Sequence, residues 1–348
     1  MILLISSHMS QNQAIMRAFA RLGRRDIHVI NLGDFPMQMD LMMAFYSGKK
    51  ENFCLRLADR RAICLDEVTA IWWHHPAPFG FPEELNHPVH REFARQEAAT
   101  AFRGLWQASH AFWVNNMTQE ETASHKPWQL HLARQLGLTI PETLITNSPE
   151  EARQFWQQYP GEIIYKAFRA SFDAWRETRL LQPQEESLAE TIRLTPVIFQ
   201  RYVPAVYDLR ILLVGELVFA ATAAIQQGEY QVDVRMNRNM LYAPHTLPPA
   251  IIQKLLSLMQ HLHLEYGAID MRLTPDGDYV FLEINPNGEY LYVEQATGLP
   301  ISRALAEHLH RGRPTMHGLS SADNQTLMQG CQGLQETPED HDRFGPSL

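Results

Sequence analysis

Two neighbouring stretches, GAIDMRLTPDGDYV and VFLEINPNGEYLYVE, hold the densest group of residues able to manage phosphate and metal chemistry. Pro275-Asp276-Gly277-Asp278 is a hairpin turn signal between two β-rich runs. With Asp276 and Gly277 as a two-residue loop, Asp270 faces Glu283 across the ladder. Like charges in directly opposed positions repel, so such a pair calls for something cationic between them. The period-2 geometry of a strand puts Asn285 on the same face as Glu283. Two carboxylates and an amide oxygen form a hard, all-oxygen set that suits Mg²⁺ shared with substrate phosphates. A solvated polar face on an ordinary hairpin is the alternative reading.

Other residues extend the constellation. Lys166 ends the apolar run Ile163-Ile164-Tyr165, where a charge points to ligand or solvent. In VIFQRYVP, Gln200, Tyr202 and Val203 stand at a strand end before Pro204, a hinge whose backbone groups are suited to an adenine edge. In DLRILLVGELVFA, Asp208 and Arg210 share a strand face; Asp208 is suited to ribose hydroxyls and Arg210 to phosphate. Arg235 offers a second planar cation.

The elements that must position these residues fall into two textures. Short apolar runs at 1–6, 28–31, 70–73 and 112–115 alternate with helical patterns at 11–22 and 82–107, which predicts a small parallel sheet and an α/β front domain. Neither GxGxxG nor GxxxxGK[ST] occurs there, so a dinucleotide or P-loop reading has no support. Beyond Asn116, Pro127 opens a helix that Gly137 closes, and Ser148-Pro149-Glu150-Glu151 has the pattern of a capping box. Strands are then expected at 163–168, 197–203, 209–214 and 217–221, and a core-packing helix at 249–264, giving an α+β region. The expected divisions are 1–116, 117–196, 197–312 and a polar, acidic tail at 313–348 that reads as disordered.

The 348 residues suffice for two or three packed units, and 45% hydrophobic residues supply their cores. A net charge of −9 without basic clusters argues against nucleic-acid and membrane-surface binding. Cys54, Cys64 and Cys331 are few and widely spaced, so neither a disulfide framework nor a zinc site is expected, and the setting reads as reducing and cytoplasmic. No apolar run reaches transmembrane length.

Taken in order, Lys126 in HKPWQLHLARQLGLTIPETLITN, Lys166 in IIYKAF, the FQRYV hinge, DLRILLVGELVFA and GAIDMRLTPDGDYVFLEINPNG resemble the ATP-grasp superfamily of carboxylate ligases. The segments WWHHPAPFGFP, AFRGLWQASHAFWVNN and TGLPIS are similar to its peptide-modifying branch, the microviridin-type (graspetide) maturases of ribosomally made precursor peptides. The resemblance implies a pre-ATP-grasp front domain and an ATP-grasp fold behind it, with ATP and Mg²⁺, two ions, as cofactors. It implies a precursor peptide, leader plus core, as partner, and a homodimer. It implies that Lys126 and Lys166 meet nucleotide phosphates, that Gln200, Tyr202 and Val203 form the adenine hinge, and that Asp208 meets ribose. Arg210 and Arg235 would face phosphate or acyl phosphate, and Asp270, Glu283 and Asn285 would hold magnesium. The activity implied is an ADP-forming ligation of a side-chain carboxylate to a hydroxyl or amine, giving ω-esters or ω-amides.

The chain departs from that family in places. No glycine lies between Gly161 and Gly215, so a glycine-rich phosphate loop is absent and Ser171 is the candidate phosphate contact. A lid is expected at 168–178. His74 and His75 stand where relatives carry arginine, which would make affinity for an anion pH-dependent. Lacking helical metal spacing, these histidines and the pair His261/His263 read as surface or polar-core residues. The tryptophans read as core, and Glu120-Glu121 as a solvated helix start. Two other functions stay open: ligation of a free amino acid or small amine, and a non-catalytic module that binds nucleotide and peptide.

Overall fold

The computed structural model describes residues 1–168, 178–224 and 241–312. Ser171, Arg235, most of the expected lid and the whole 313–348 tail therefore lie outside the described residues.

The chain opens with β1 (Ile2–Ile5), α1 (Met9–Arg21), β2 (Ile27–Ile30), β3 (Met39–Ala44), β4 (Asn52–Leu57), β5 (Ala62–Cys64), β6 (Ala70–Trp73), α2 (Pro88–Gln107) and β7 (Phe112–Val114). A parallel sheet of order β2-β1-β6-β7 forms the expected front layer. Its central strand reads ILLI and is buried throughout, the pattern of a parallel strand covered on both faces. Ile5, Ile71 and Trp106 line one side, and Leu4, Trp72 and Phe19 the other. The front part also carries an antiparallel sheet, β3-β4-β5, that the sequence reading omits.

That omission explains a correction. Cys54 and Cys64 form a disulfide, with Cα atoms 4.1 Å apart, because they are direct partners across the β4–β5 ladder. Ten residues of separation show no cysteine motif, yet a hairpin brings its arms side by side.

The second half runs α3 (Met117–Ala123), α4 (Lys126–Gln135), β8 (Thr143–Thr146), α5 (Pro149–Gln158), β9 (Ile163–Lys166), β10 (Arg179–Leu180), β11 (Val197–Arg201), β12 (Tyr207–Val214), β13 (Leu217–Ala224), β14 (Tyr242–His245), α6 (Pro249–Leu262), β15 (Tyr266–Leu273), β16 (Tyr279–Asn285), α7 (Leu291–Thr297) and α8 (Ile301–Arg311). It contains two sheets, β10-β9-β11-β8 and β14-β13-β12-β15-β16, antiparallel throughout. At the start of α5 half of the expected capping box forms: Ser148 Oγ accepts from the Glu151 N–H at 3.4 Å, while the Ser148 N–H donates to Thr146 Oγ1 at 2.9 Å.

Alternation along the five-stranded sheet sets up the site. On one face, Leu209, Ile211, Leu213, Ile269 and Phe281 pack under α4 and α6. On the other, Leu212, Val214, Tyr266 and Ala268 join Leu4 and Trp72 of the front sheet in one core. Farther along the same strands, this second face turns from apolar to charged at Asp208, Arg210, Asp270 and Arg272. The front domain thus packs against one end of the strands whose other end carries these charged residues.

Candidate active site

The β15–β16 hairpin places Asp270 opposite Glu283 and Ala268 opposite Asn285, as the sequence predicts. It does so by another route. The loop has three residues, 275–277, because beyond the Leu273–Tyr279 pair the Thr274 N–H donates to the Asp278 carbonyl and the Gly277 N–H to the Thr274 carbonyl, both at 3.0 Å. Gly277 takes φ +89, the left-handed position that closes such a turn. Near the turn the strands are therefore offset by one residue from a two-residue hairpin. A β-bulge that leaves Leu282 without a partner restores the register before Glu283.

The opposed carboxylates are each met by a cation of the chain. Arg210 Nη1 lies 2.9 and 3.0 Å from the two Asp270 oxygens, and its Nη2 donates to the Glu289 carbonyl at 3.1 Å. Burial works against this guanidinium's charge, but Asp270 and the surrounding tyrosines outweigh it and raise its pKa, so it stays charged. Lys126 Nζ pairs with Glu283 Oε2. Lys126 begins α4, and Gln129 one turn on fixes that helix to β16: its amide donates to the Ile284 carbonyl at 2.8 Å and accepts from the Ile284 N–H at 3.1 Å. Asn285 Oδ1 accepts from the Asn287 N–H at 2.9 Å.

These residues fit magnesium. Their donors are all oxygen, they share a strand face in register, and the ammonium against Glu283 stands where a positive charge is needed. Gly288 belongs to the same cradle, since a Cβ there would lie 2.4 Å from the Ala268 Cβ and 2.6 Å from Arg210 Nη2.

Two residues along the strands the polarity is reversed. Arg272 Nε donates to Asp208 Oδ1 at 2.9 Å, and both residues are buried. Arg272 also donates to the Val203 carbonyl at 2.8 Å and lies over the Tyr202 ring, 5.0 Å from its centroid. The Tyr202 N–H donates to the Glu162 carbonyl at 2.6 Å. Lys166 and Gln200 lie on the neighbouring sheet, where Lys166 Nζ donates to Gln200 Oε1 at 3.2 Å and Gln200 Nε2 donates to Thr143 Oγ1 at 2.9 Å. The hinge strand, β9 and the charged end of β12–β15 are thus connected through Arg272.

The loop after β16 is bonded to the front domain. Asn115, buried at the end of β7, uses its whole amide: Nδ2 donates to the Tyr266 and Pro286 carbonyls, both at 2.8 Å, and Oδ1 accepts from the Glu265 and Tyr266 N–H groups at 2.8 and 2.9 Å. Tyr266 Oη donates to the Gly288 carbonyl at 2.5 Å. The Asn287 Oδ1 accepts from the His75 N–H at 3.1 Å, and its Nδ2 donates to Glu120 Oε1 at 3.0 Å. Glu120 is consequently no solvated helix residue: burial pushes its pKa up to about 7 against the opposing Asn287 bond. Glu121 beside it is exposed. His74 is fully buried and stacked on Trp72, and burial, then the charge of His75, holds its pKa well below the usual imidazole value.

Of the residues proposed from sequence, the structure brings Lys126, Arg210, Asp270, Glu283 and Asn285 into one cluster. It sets Asp208, Tyr202 and Val203 around Arg272, and Lys166 beside Gln200. Sequence reasoning passed over Arg272, although period 2 from Asp270 marks it. Asn115, Gln129 and Gly288 carry no such local signal, because their partners lie far away in the chain.

The family model of the MvdD pre-ATP-grasp domain matches residues 1–121, and that of the RimK-like ATP-grasp domain matches residues 123–309. Among solved structures, the macrocyclase MdnC bound with precursor peptide MdnA from Microcystis aeruginosa MRC is 31% identical, with a TM-score of 0.80 over 89% of this chain and 100% of that one. The macrocyclase MdnB from the same source is also 31% identical, with a TM-score of 0.73 over 88% and 98%. A Chryseobacterium gregarium RiPP-associated ATP-grasp ligase, in complex with ADP and a leader and core peptide, shares the fold at 23% identity and a TM-score of 0.80, over 90% and 97%. No curated protein matches the chain.

Proposed function

As the chain belongs to the ATP-grasp ligases, with an MvdD-type pre-ATP-grasp domain ahead of a RimK-like ATP-grasp domain, we propose that it crosslinks a ribosomally made precursor peptide. It joins side-chain carboxylates of the core to Ser or Thr hydroxyls or Lys amines, giving ω-esters or ω-amides, and a leader segment holds the peptide. The observation that carries this reading is the in-register Asp270–Glu283 pair with Arg210 and Lys126 against it. The 31% identity to a precursor-bound macrocyclase along that protein's full length supports the peptide as substrate.

The chemistry follows from charge. A carboxylate approaching ATP is an anion approaching an anion, so positioning and electrostatics do most of the work. Asp270, Glu283 and Asn285 would hold Mg²⁺, which would supply positive charge at the substrate's phosphates. Arg210, fixed by Asp270 and the Glu289 carbonyl, faces the transferring phosphoryl group. Lys126 on leaving Glu283, and Lys166 on leaving Gln200, bring ammonium groups to the nucleotide phosphates. The adenine lies at the 200–203 hinge, where the Val203 carbonyl keeps a second lone pair beside its bond from Arg272, and the ribose lies towards Asp208. The carboxylate oxygen attacks the γ-phosphorus and ADP leaves. The hydroxyl or amine then attacks the acyl carbon, phosphate leaves, and the nucleophile gives up its proton. We place the enzyme in the cytoplasm, where ATP and a ribosomal peptide are both at hand. No helix among the described residues is long and apolar enough to cross a membrane.

The test is ADP release coupled to mass spectrometry with Mg-ATP and a candidate precursor whose core holds acidic and Ser, Thr or Lys residues. Loss of about 18 Da per crosslink, the mass of one water, is expected, since ATP activation of a carboxylate ends in net dehydration. Glu283→Ala abolishes it. ADP release with small amines alone, the peptide unchanged, would replace the peptide substrate by a small one.

A further inference from the structure

Three donor side chains that the ligation leaves unused meet where the front domain touches the 285–289 loop. His8 is the residue before α1 and makes no capping bond with its side chain. His75 follows β6, and Glu289 ends the loop that begins at Asn285. One ligand atom from each lies within 4.8 Å of the other two. His8 Nδ1 is 3.3 Å from Glu289 Oε1, and the His8 and His75 rings stack with centroids 4.5 Å apart.

His75 is held in an unusual way. Its backbone sits at φ +47, a region that non-glycine residues seldom occupy and that often marks a functional constraint. Its carbonyl accepts from the Ser7 N–H at 3.2 Å and the Ser7 hydroxyl at 2.9 Å, while its N–H donates to Asn287. With the backbone fixed on both sides, its ring Nε2 is buried without a hydrogen-bond partner. Such a nitrogen in a folded protein calls for an explanation.

We propose that His8, His75 and Glu289 form a second cation site, selective for a divalent transition metal of the Zn²⁺ class, at the joint between the front domain and the loop carrying Asn285. Two imidazoles and one carboxylate are a mixed nitrogen and oxygen set that favours Zn²⁺, Co²⁺ or Ni²⁺ over Mg²⁺, whereas Asp270, Glu283 and Asn285 offer oxygen alone. The two sites are thus separated by donor chemistry. The stacked rings converge on a common ion by rotation of His8, whose side chain is about a third exposed (32%). The ion would tie together the start of α1, the end of β6 and the loop whose Glu289 carbonyl receives Arg210. His8 and His75 lie far apart in the sequence and are neighbours only in the fold.

The test uses the full chain stripped with chelator and kept in excess Mg²⁺, titrated with Zn²⁺ by calorimetry and with Co²⁺ by visible absorbance. One Zn²⁺ per chain is expected, with a Co²⁺ band of a nitrogen-ligated, low-coordinate ion. His8→Ala and Glu289→Gln, each checked for folding by circular dichroism, weaken the affinity about tenfold or more. No stoichiometric Zn²⁺ binding, or binding of equal strength in both variants, overturns the proposal. Neither result touches the ligase reading, which the ADP and mass assay tests separately.

Discussion

The two ends of the charged strand face on β12 and β15 make an instructive contrast. At one end Asp208 and Arg272 form an ion pair whose side chains are 12% and 5% exposed; at the other, Asp270, opposite in polarity and paired with Arg210, is 35% exposed. The closed pair gives a second guanidinium N–H to the Val203 carbonyl and its flat face to Tyr202, so it organises the hinge. The open pair leaves its carboxylate reachable next to Glu283, so it is able to exchange partners. Sequence shows the same two residue types at both places; burial is what sets the closed pair apart from the open one.

Glu283→Gln is expected to produce the largest effect, lowering the crosslinking rate by a factor on the order of 10³. Its unfolding midpoint in urea should stay close to wild type, because the lost pair is partly exposed. Arg272→Met at the closed end should do the reverse. Removing one partner of a buried pair costs about 3–5 kcal/mol, measured by denaturant unfolding, while the folded fraction keeps most of its rate at saturating ATP. A variant at either end that loses both properties equally would erase the contrast.

Behind the open end, Glu120 sharpens it through pH. Its carboxyl is raised in the fold from 4.5 to about 7, so its contribution to stability is full below pH 4.5 and is lost as the pH rises through 7. The ceiling for that change is about 3 kcal/mol. Unfolding measured from pH 4.5 to 7.5 should show the slope in the wild type, lose it in Glu120→Gln, and keep it in Glu121→Gln. Gly288→Ala should cost about 1–3 kcal/mol of stability from overpacking. It should also slow ligation, because the new methyl group displaces Arg210.

How much of this was legible depends on the distance over which each signal acts. Turn residues and alternation at 266–285 announced a hairpin, and the Asp270–Glu283 pairing came out right because a longer loop and a bulge at Leu282 cancel. Bulges leave little trace in sequence, so that agreement owes as much to compensation as to inference. Arg272 was readable from period 2. Glu120 was misread because an acidic pair at a helix start looks the same whether water or Asn287 meets it. The Cys54–Cys64 bond followed from strands whose residues, such as DLMM and NFCLRL, carry weak alternation. Asn115 has its partners at 265, 266 and 286, and only the assembled core puts them in reach.

The Asn115 amide has a consequence for engineering. A designer grafting a new front domain onto this ligase would naturally cut the gene at residue 122, between the two family-model matches. That cut parts Asn115 from the Glu265, Tyr266 and Pro286 backbone it fills, and His75 from Asn287. A chimera joined there inherits mismatched halves of one joint, and the mismatch falls beside Asn285. The smallest transplantable cassette is therefore discontinuous: the front domain together with residues 265–289, moved as one.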